Sequence, residues 1–214
     1  MTTIMSTEQE PPILPVACGI PVDYEITKSP LAPLTGPDLT VHDASGNVVY
    51  KINGGCCAAS PSSSCGRGRT KSLCDAAGSP LVSFLLRNGE WRAFKGDSLE
   101  LKDTIFTVRN ASASASKVEL DVYLRDENIE DPKPSFRLKG NPFRRSCTIV
   151  RENTIVAQAC LLYKLRKFVY WRHKFRLTVY PGNDHILVIA MLVTFFGGSR
   201  RAEIGNCICC IFGT

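Results

Sequence analysis

The chain has 214 residues, 44% of them hydrophobic and 21% charged, enough for one substantial domain with its own core and too apolar to stay disordered. Its longest apolar run, Ile186 to Phe196, is well short of the roughly 18 to 20 residues that cross a bilayer, so no transmembrane span is expected. The net charge of +6 is uneven: residues 137–176 hold eleven Lys and Arg against one acid, Glu152, leaving the remainder net acidic.

Residues 1–19 read as a flexible N-terminal segment. Met1 to Val16 contains no Lys or Arg and no apolar run of signal-peptide length, so secretion is not expected and the setting should be cytoplasmic. The ten cysteines are then expected as thiols. Pro11 to Pro37 carries seven prolines and should be extended, leaving Val22 to Ile26 as at most an edge strand.

From residue 38 onward, short alternating runs separated by Gly, Asn, Asp and Pro give an antiparallel, mainly β pattern. Leu39 and Val41, then Val48, Tyr50 and Ile52, flank Asp43-Ala-Ser-Gly-Asn47, a turn sequence that tolerates positive φ. Asn53 to Thr70, rich in Gly, Ser and Cys, reads as a long mobile loop inserted at 53–70. Ser72 to Leu86 repeats the hairpin design, turning through Asp75 to Pro80. Val118, Leu120, Val122 and Leu124 alternate with polar neighbours, after a loop expected around Ser112, Ser114 and Ser116. Ser146 to Leu162 turns at Arg151-Glu-Asn153, and Phe175, Leu177 and Val179 alternate in a last strand.

A helix is expected over 184–196, capped by Asn183 or Asp184 and ended by Gly197 and Gly198. Ile186 to Phe196 has no polar face apart from Thr194. Such a helix must be enclosed on every side, as a sheet wrapped around it would do. A buried strand is the alternative, because a wholly apolar run shows no period, and the length favours the helix. Residues 199–214 form a cysteine-containing tail.

Motifs for catalysis are sparse. His42, His173 and His185 have no Ser or Cys nucleophile placed beside them, and no phosphate-binding or dinucleotide loop occurs, so neither an enzyme nor a cofactor is expected. Cys56, Cys57, Cys65 and Cys74 lack the short paired spacing of a zinc site, and no metal is expected. Cys207, Cys209 and Cys210 follow Arg200-Arg201 as reversible acylation sites do, a frayed tail being the plainer reading. Cys147 and Cys160 read as strand thiols.

The basic stretch is the strongest functional feature. Lys139, Arg144, Arg145, Lys164, Arg166, Lys167, Arg172, Lys174 and Arg176 would form one surface if their strands pair. Phe168, Tyr170 and Trp171 interleave them with groups suited to a headgroup boundary. Such a surface favours an anionic partner such as acidic phospholipid, acidic protein or nucleic acid.

In order and spacing, Asp38-Leu-Thr-Val-His-Asp-Ala-Ser-Gly-Asn-Val-Val-Tyr-Lys51, Cys74-Asp-Ala-Ala-Gly-Ser-Pro-Leu-Val82, Trp91 with Phe94-Lys-Gly-Asp97, Arg145-Ser-Cys-Thr-Ile149, Ile155-Val-Ala-Gln158 and Phe175-Arg-Leu-Thr-Val-Tyr-Pro-Gly-Asn-Asp184 resemble the LURP-one-related family of plant proteins. That family is a branch of the tubby-like and phospholipid-scramblase superfamily, and the likeness spans residues 20–198. The resemblance implies a closed antiparallel barrel of about twelve strands around a central hydrophobic C-terminal helix. It also implies a non-enzymatic binding module, docking phosphoinositide at the cytoplasmic membrane face in plant defence or stress signalling; a monomer is expected. A membrane-tethered or nuclear transcription regulator, or a protein-interaction scaffold, is the alternative.

Overall fold

Alternation of apolar and polar residues gives each strand one face for the interior and one for water. In the computed structural model, which describes residues 19–28, 38–55, 69–113, 117–125, 133–162 and 174–197, twelve such strands pair antiparallel. They are β1 (Val22–Lys28), β2 (Leu39–His42), β3 (Val48–Gly55), β4 (Arg69–Asp75), β5 (Pro80–Arg87), β6 (Glu90–Lys95), β7 (Thr104–Ala113), β8 (Val118–Leu124), β9 (Phe136–Asn141), β10 (Ser146–Arg151), β11 (Thr154–Leu161) and β12 (Lys174–Val179). Strands β2 to β12 run as an up-and-down meander, and β1 lies between β12 and β2 to close the barrel. Closure leaves no strand edge to be covered.

The turns follow the local chemistry. Between β2 and β3 the Asp43 carboxylate accepts the amides of Asn47 (2.8 Å) and Ser45 (2.9 Å), while Gly46 takes φ 84°. These amides, Asn47's above all, hold the Asp43 carboxyl below its ordinary pKa. Glu152 takes φ 55° in the tight turn between β10 and β11.

The one α-helix among the described residues, α1 (His185–Gly197), threads the barrel. Asp184 is its cap, accepting from the amides of Ile186 (2.8 Å) and Leu187 (3.2 Å), whereas Asn183 donates back to the Tyr180 and Pro181 carbonyls. Val188 to Phe195 is buried throughout. The hydroxyl of Thr194 is satisfied by donating to the Met191 carbonyl at 2.7 Å. Around the helix, Ile26, Leu73, Phe84, Phe106, Leu138, Ile149, Phe175 and Leu177 point inward with almost no exposure. A helix with no polar face and a sheet with one apolar face thus complete a single core. Outward positions carry ion pairs across neighbouring strands: Arg137 with Asp121, Lys139 with Glu119, Lys174 with Glu25, and Arg109 with Glu90, which also pairs with Arg92 of its own strand.

Three sequence expectations change. Val22–Lys28 is not an edge strand but is paired on both sides, with β12 and β2. The prolines that suggested otherwise, Pro21 and Pro30, flank the strand without entering it. The stretch expected as a loop from Asn53 is strand at both ends, since Asn53, Gly54 and Gly55 pair with Ser72, Lys71 and Thr70; residues 56–68 lie outside the described part. Strand β7 likewise continues to Ala113 and takes in Ser112, opposite Glu119.

An antiparallel meander sends every second connection to the same end. The ends of β1, β3, β5, β7, β9 and β11, and the starts of β2, β4, β6, β8, β10 and β12, therefore share one rim, at which α1 also ends. We call it the exit rim. The entry rim, where α1 begins, holds the turns around Asp43, Asp75, Asp97 and Glu152. There the Tyr24 hydroxyl lies 2.6 Å from Nδ1 of His185, tying β1 to the first residue of the helix.

Candidate ligand-binding rim

Strand parity collects basic residues at the exit rim. Lys28 ends β1, Arg69 and Lys71 open β4, Arg87 ends β5, Lys117 precedes β8, Arg144 and Arg145 join β9 to β10, and Lys174 opens β12. Acids at this rim are Asp38, Glu90 and Glu119. The entry rim instead mixes Asp43, Asp75, Asp97, Asp103, Glu152 and Asp184 with Lys51, Lys95, Lys102, Arg125 and Arg151.

The nine basic residues expected to act together divide into three groups. Lys139, Lys174 and Arg176 lie on outer strand faces and are paired with Glu119, Glu25 and Asp23. Their charge is largely matched by acids that lie far away in sequence, which is why the uneven distribution along the chain exaggerates the field of the folded barrel. Lys164, Arg166, Lys167 and Arg172 lie outside the described residues, as do Phe168, Tyr170 and Trp171; the flanking ends of β11 and β12 are both at the exit rim. Arg144 and Arg145 make no ion pair among the described residues, and exposed Arg87 makes none either. Cys207, Cys209 and Cys210 are also outside the described part.

Arg144 and Arg145 are positioned by a tight connection. A 3-10 turn spans Pro142–Arg144, the Arg144 amide donates to Oδ1 of Asn141 at 3.1 Å, and Arg145 takes φ 52°. Gly140 permits this closure, because a side chain there would run into the backbone of Ser146 and Cys147. Arg144 points to solvent. Arg145 turns inward, with its guanidinium carbon 5.5 Å from the ring centroid of Phe196, a cation–π distance. Burial lowers the Arg145 pKa from its ordinary value, yet arginine stays charged throughout the physiological range.

On the other side of the helix end, Lys71 and Trp91 close on Gly197. A Cβ at Gly197 would lie 3.2 Å from Cζ2 of Trp91 and 3.4 Å from Cε of Lys71. Lys71 is mostly buried and sits 3.6 Å from Oδ2 of Asp38, while the buried Trp91 indole nitrogen has no hydrogen-bond partner among the described residues. Gly197, expected with Gly198 to end the helix, is its last described residue, and its backbone is not left-handed. Its missing side chain provides room for Trp91. The place of Lys71, Trp91 and Gly197 at the rim was missed, Trp91 standing out in sequence only as a motif residue and Gly197 only as a helix stop; strand parity, applied to Lys71 and Arg87, would have placed both at this rim.

No group of three or more His, Cys, Asp or Glu side chains arranged to hold a metal occurs among the described residues. Nor is any described helix long and apolar enough to cross a membrane.

The family model described as LURP-one-related matches residues 22–196. Protein LURP-one-related 7 of Arabidopsis thaliana is 41% identical over 181 residues, covering 84% of this chain and 91% of that protein. Protein LURP-one-related 15 of the same plant is 26% identical over 179 residues, covering 81% and 78%. An X-ray structure of an Arabidopsis thaliana protein superposes with a TM-score of 0.57 at 26% identity, covering 83% of this chain and 90% of the other. With the family match running from the first strand to the last helical turn, and a closed barrel around a buried helix, this chain belongs to the LURP-one-related family and has its tubby-like fold.

Proposed function

We propose that the exit rim is a reversible docking surface for acidic phospholipid headgroups, phosphoinositides above all, at the cytoplasmic face of a membrane. The observation that carries this reading is the convergence of Lys28, Arg69, Lys71, Arg87, Lys117, Arg144 and Arg145 on one end of the barrel. The outer barrel wall is laced with cross-strand ion pairs. A wall of that kind suits water, since a barrel embedded in lipid turns apolar residues outward. Each base brought near an anionic leaflet contributes about 1 kcal/mol, so a handful holds a domain there, and salt weakens the attachment. Docking of this kind would let the protein act in plant defence or stress signalling as a binding module without catalysis.

The test is salt-dependent sedimentation with phosphatidylcholine vesicles with and without a phosphatidylinositol bisphosphate. Joint neutralisation of Arg144, Arg145, Lys164, Arg166 and Lys167 should weaken binding about tenfold or more. Binding unchanged by those substitutions, or equal on uncharged vesicles, would overturn the reading. Retention of a duplex DNA probe at physiological salt, in place of vesicles, would instead favour a nuclear regulator.

A further inference from the structure

A helix ends in carbonyls with no intrahelical partner and carries a partial negative charge there, which nearby cations stabilise. Helix α1 has no base in its last turn. The barrel supplies the cations instead: Arg145 lies over the Phe196 ring from the β9–β10 connection, and Lys71 of β4 reaches the Gly197 position. Both also belong to the basic exit rim, and neither is locked there by a strong ionic partner. Lys71 has only Asp38, at 3.6 Å, and Arg145 has no carboxylate among the described residues. Arg145 is moreover held with positive φ and partly out of water, an arrangement that a guanidinium would leave for a ligand with several anionic oxygens.

We propose that Lys71 and Arg145 are shared between the carboxyl end of α1 and the phosphate oxygens of the docked ligand, so that docking loosens the last helical turn. This rests on the headgroup reading of the rim and adds its consequence for the core. The coupling is reciprocal: whatever tightens the turn weakens docking by the same factor. Asp38 competes for Lys71, and Arg144, beside Arg145 and exposed, meets the ligand without touching the helix.

Hydrogen exchange on the full chain reads this out. Amides of Val193 to Gly197 are followed with phosphatidylcholine vesicles, with the same vesicles containing a phosphatidylinositol bisphosphate, and with soluble inositol hexakisphosphate at matched ionic strength. The last turn should exchange about fivefold faster with the anionic vesicles, the scale of losing two cations at a helix end, while the amides of Ala190 and Met191 stay unchanged. The same acceleration with the soluble phosphate assigns recognition to the phosphate alone, and acceleration confined to vesicles assigns it to the lipid surface; either supports the coupling. In Arg145→Met the turn should exchange faster without ligand and respond less to it, and if that variant fails to fold, the unmodified chain decides. Sedimentation with the vesicles and unaltered exchange would overturn the coupling and leave docking standing. Failure to sediment would overturn both.

Discussion

Replacing Gly197 with alanine should destabilise this protein, against the usual trend for glycine in a helix. In an exposed helix the change gains up to about 1 kcal/mol, and no backbone strain opposes it here, since Gly197 is not left-handed. The new Cβ, however, would lie 3.2 Å from Cζ2 of Trp91, an indole only 3% exposed, and 3.4 Å from Cε of Lys71. Lys71 can swing aside, but Trp91 is held among the inward-facing core residues. Overpacking of this kind costs about 1–3 kcal/mol, so the net loss should be about 1 kcal/mol. That corresponds to a fall of roughly 2–4 °C in Tm for a domain of this size. Urea denaturation of Gly197→Ala, Trp91→Phe and the double variant forms a cycle, in which the smaller ring should relieve about 1 kcal/mol of the alanine penalty. Stabilisation by Gly197→Ala, or strict additivity in the cycle, would refute the packing of the helix end against β6.

Asp184→Ala removes the cap that accepts the Ile186 and Leu187 amides and should cost about 1 kcal/mol in chemical denaturation, whereas Asn183→Ala should leave those two amides capped. Tyr24→Phe deletes the hydroxyl beside His185, and thermal denaturation should register a loss of about 1 kcal/mol. Burial acts to raise the Glu90 pKa, but hydrogen bonds and charge from Arg92 and Arg109 prevail and lower it. A carboxyl lowered on folding stabilises the native state at neutral pH, and this contribution fades as pH falls from the ordinary carboxylate range through the folded pKa. Glu90→Gln should therefore lose stability at neutral pH and show a shallower decline in acid; an unchanged acid profile would contradict the assigned role.

Much of the barrel was legible because its period-two alternation is clean. Leu120 and Val122 against Asp121, or Phe175 and Leu177 against Arg176, can satisfy water and core only as strands. The helix was legible for a different reason, as a run with no polar face has to be enclosed. Closure by Val22–Lys28 was not legible, because a strand's partners depend on the whole circuit, and prolines that flank a strand read in sequence like prolines inside one. The extension of β3 through Gly54 was hidden in the same way: Gly54 has no side chain to alternate, and its value lies in leaving room for the Asp38 carboxylate. Of the basic surface, the cluster on the chain was visible, but the acids that neutralise Lys139, Lys174 and Arg176 come from β8 and β1, more than a dozen residues away or at the opposite end of the chain. Only pairing reveals that these three charges are matched on strand faces, while Arg87, Arg144 and Arg145 at the rim make no ion pair among the described residues.

The account depends most on the burial of α1 inside the barrel. Native-state hydrogen exchange of the amides from Val188 to Leu192, compared with those of β6 and β10, tests it directly. These helical amides should exchange only through global unfolding, with the same free energy as the most protected strand amides. Exchange of that stretch at a lower free energy than the surrounding strands would show a helix that leaves its barrel without unfolding it, and would contradict the enclosed core.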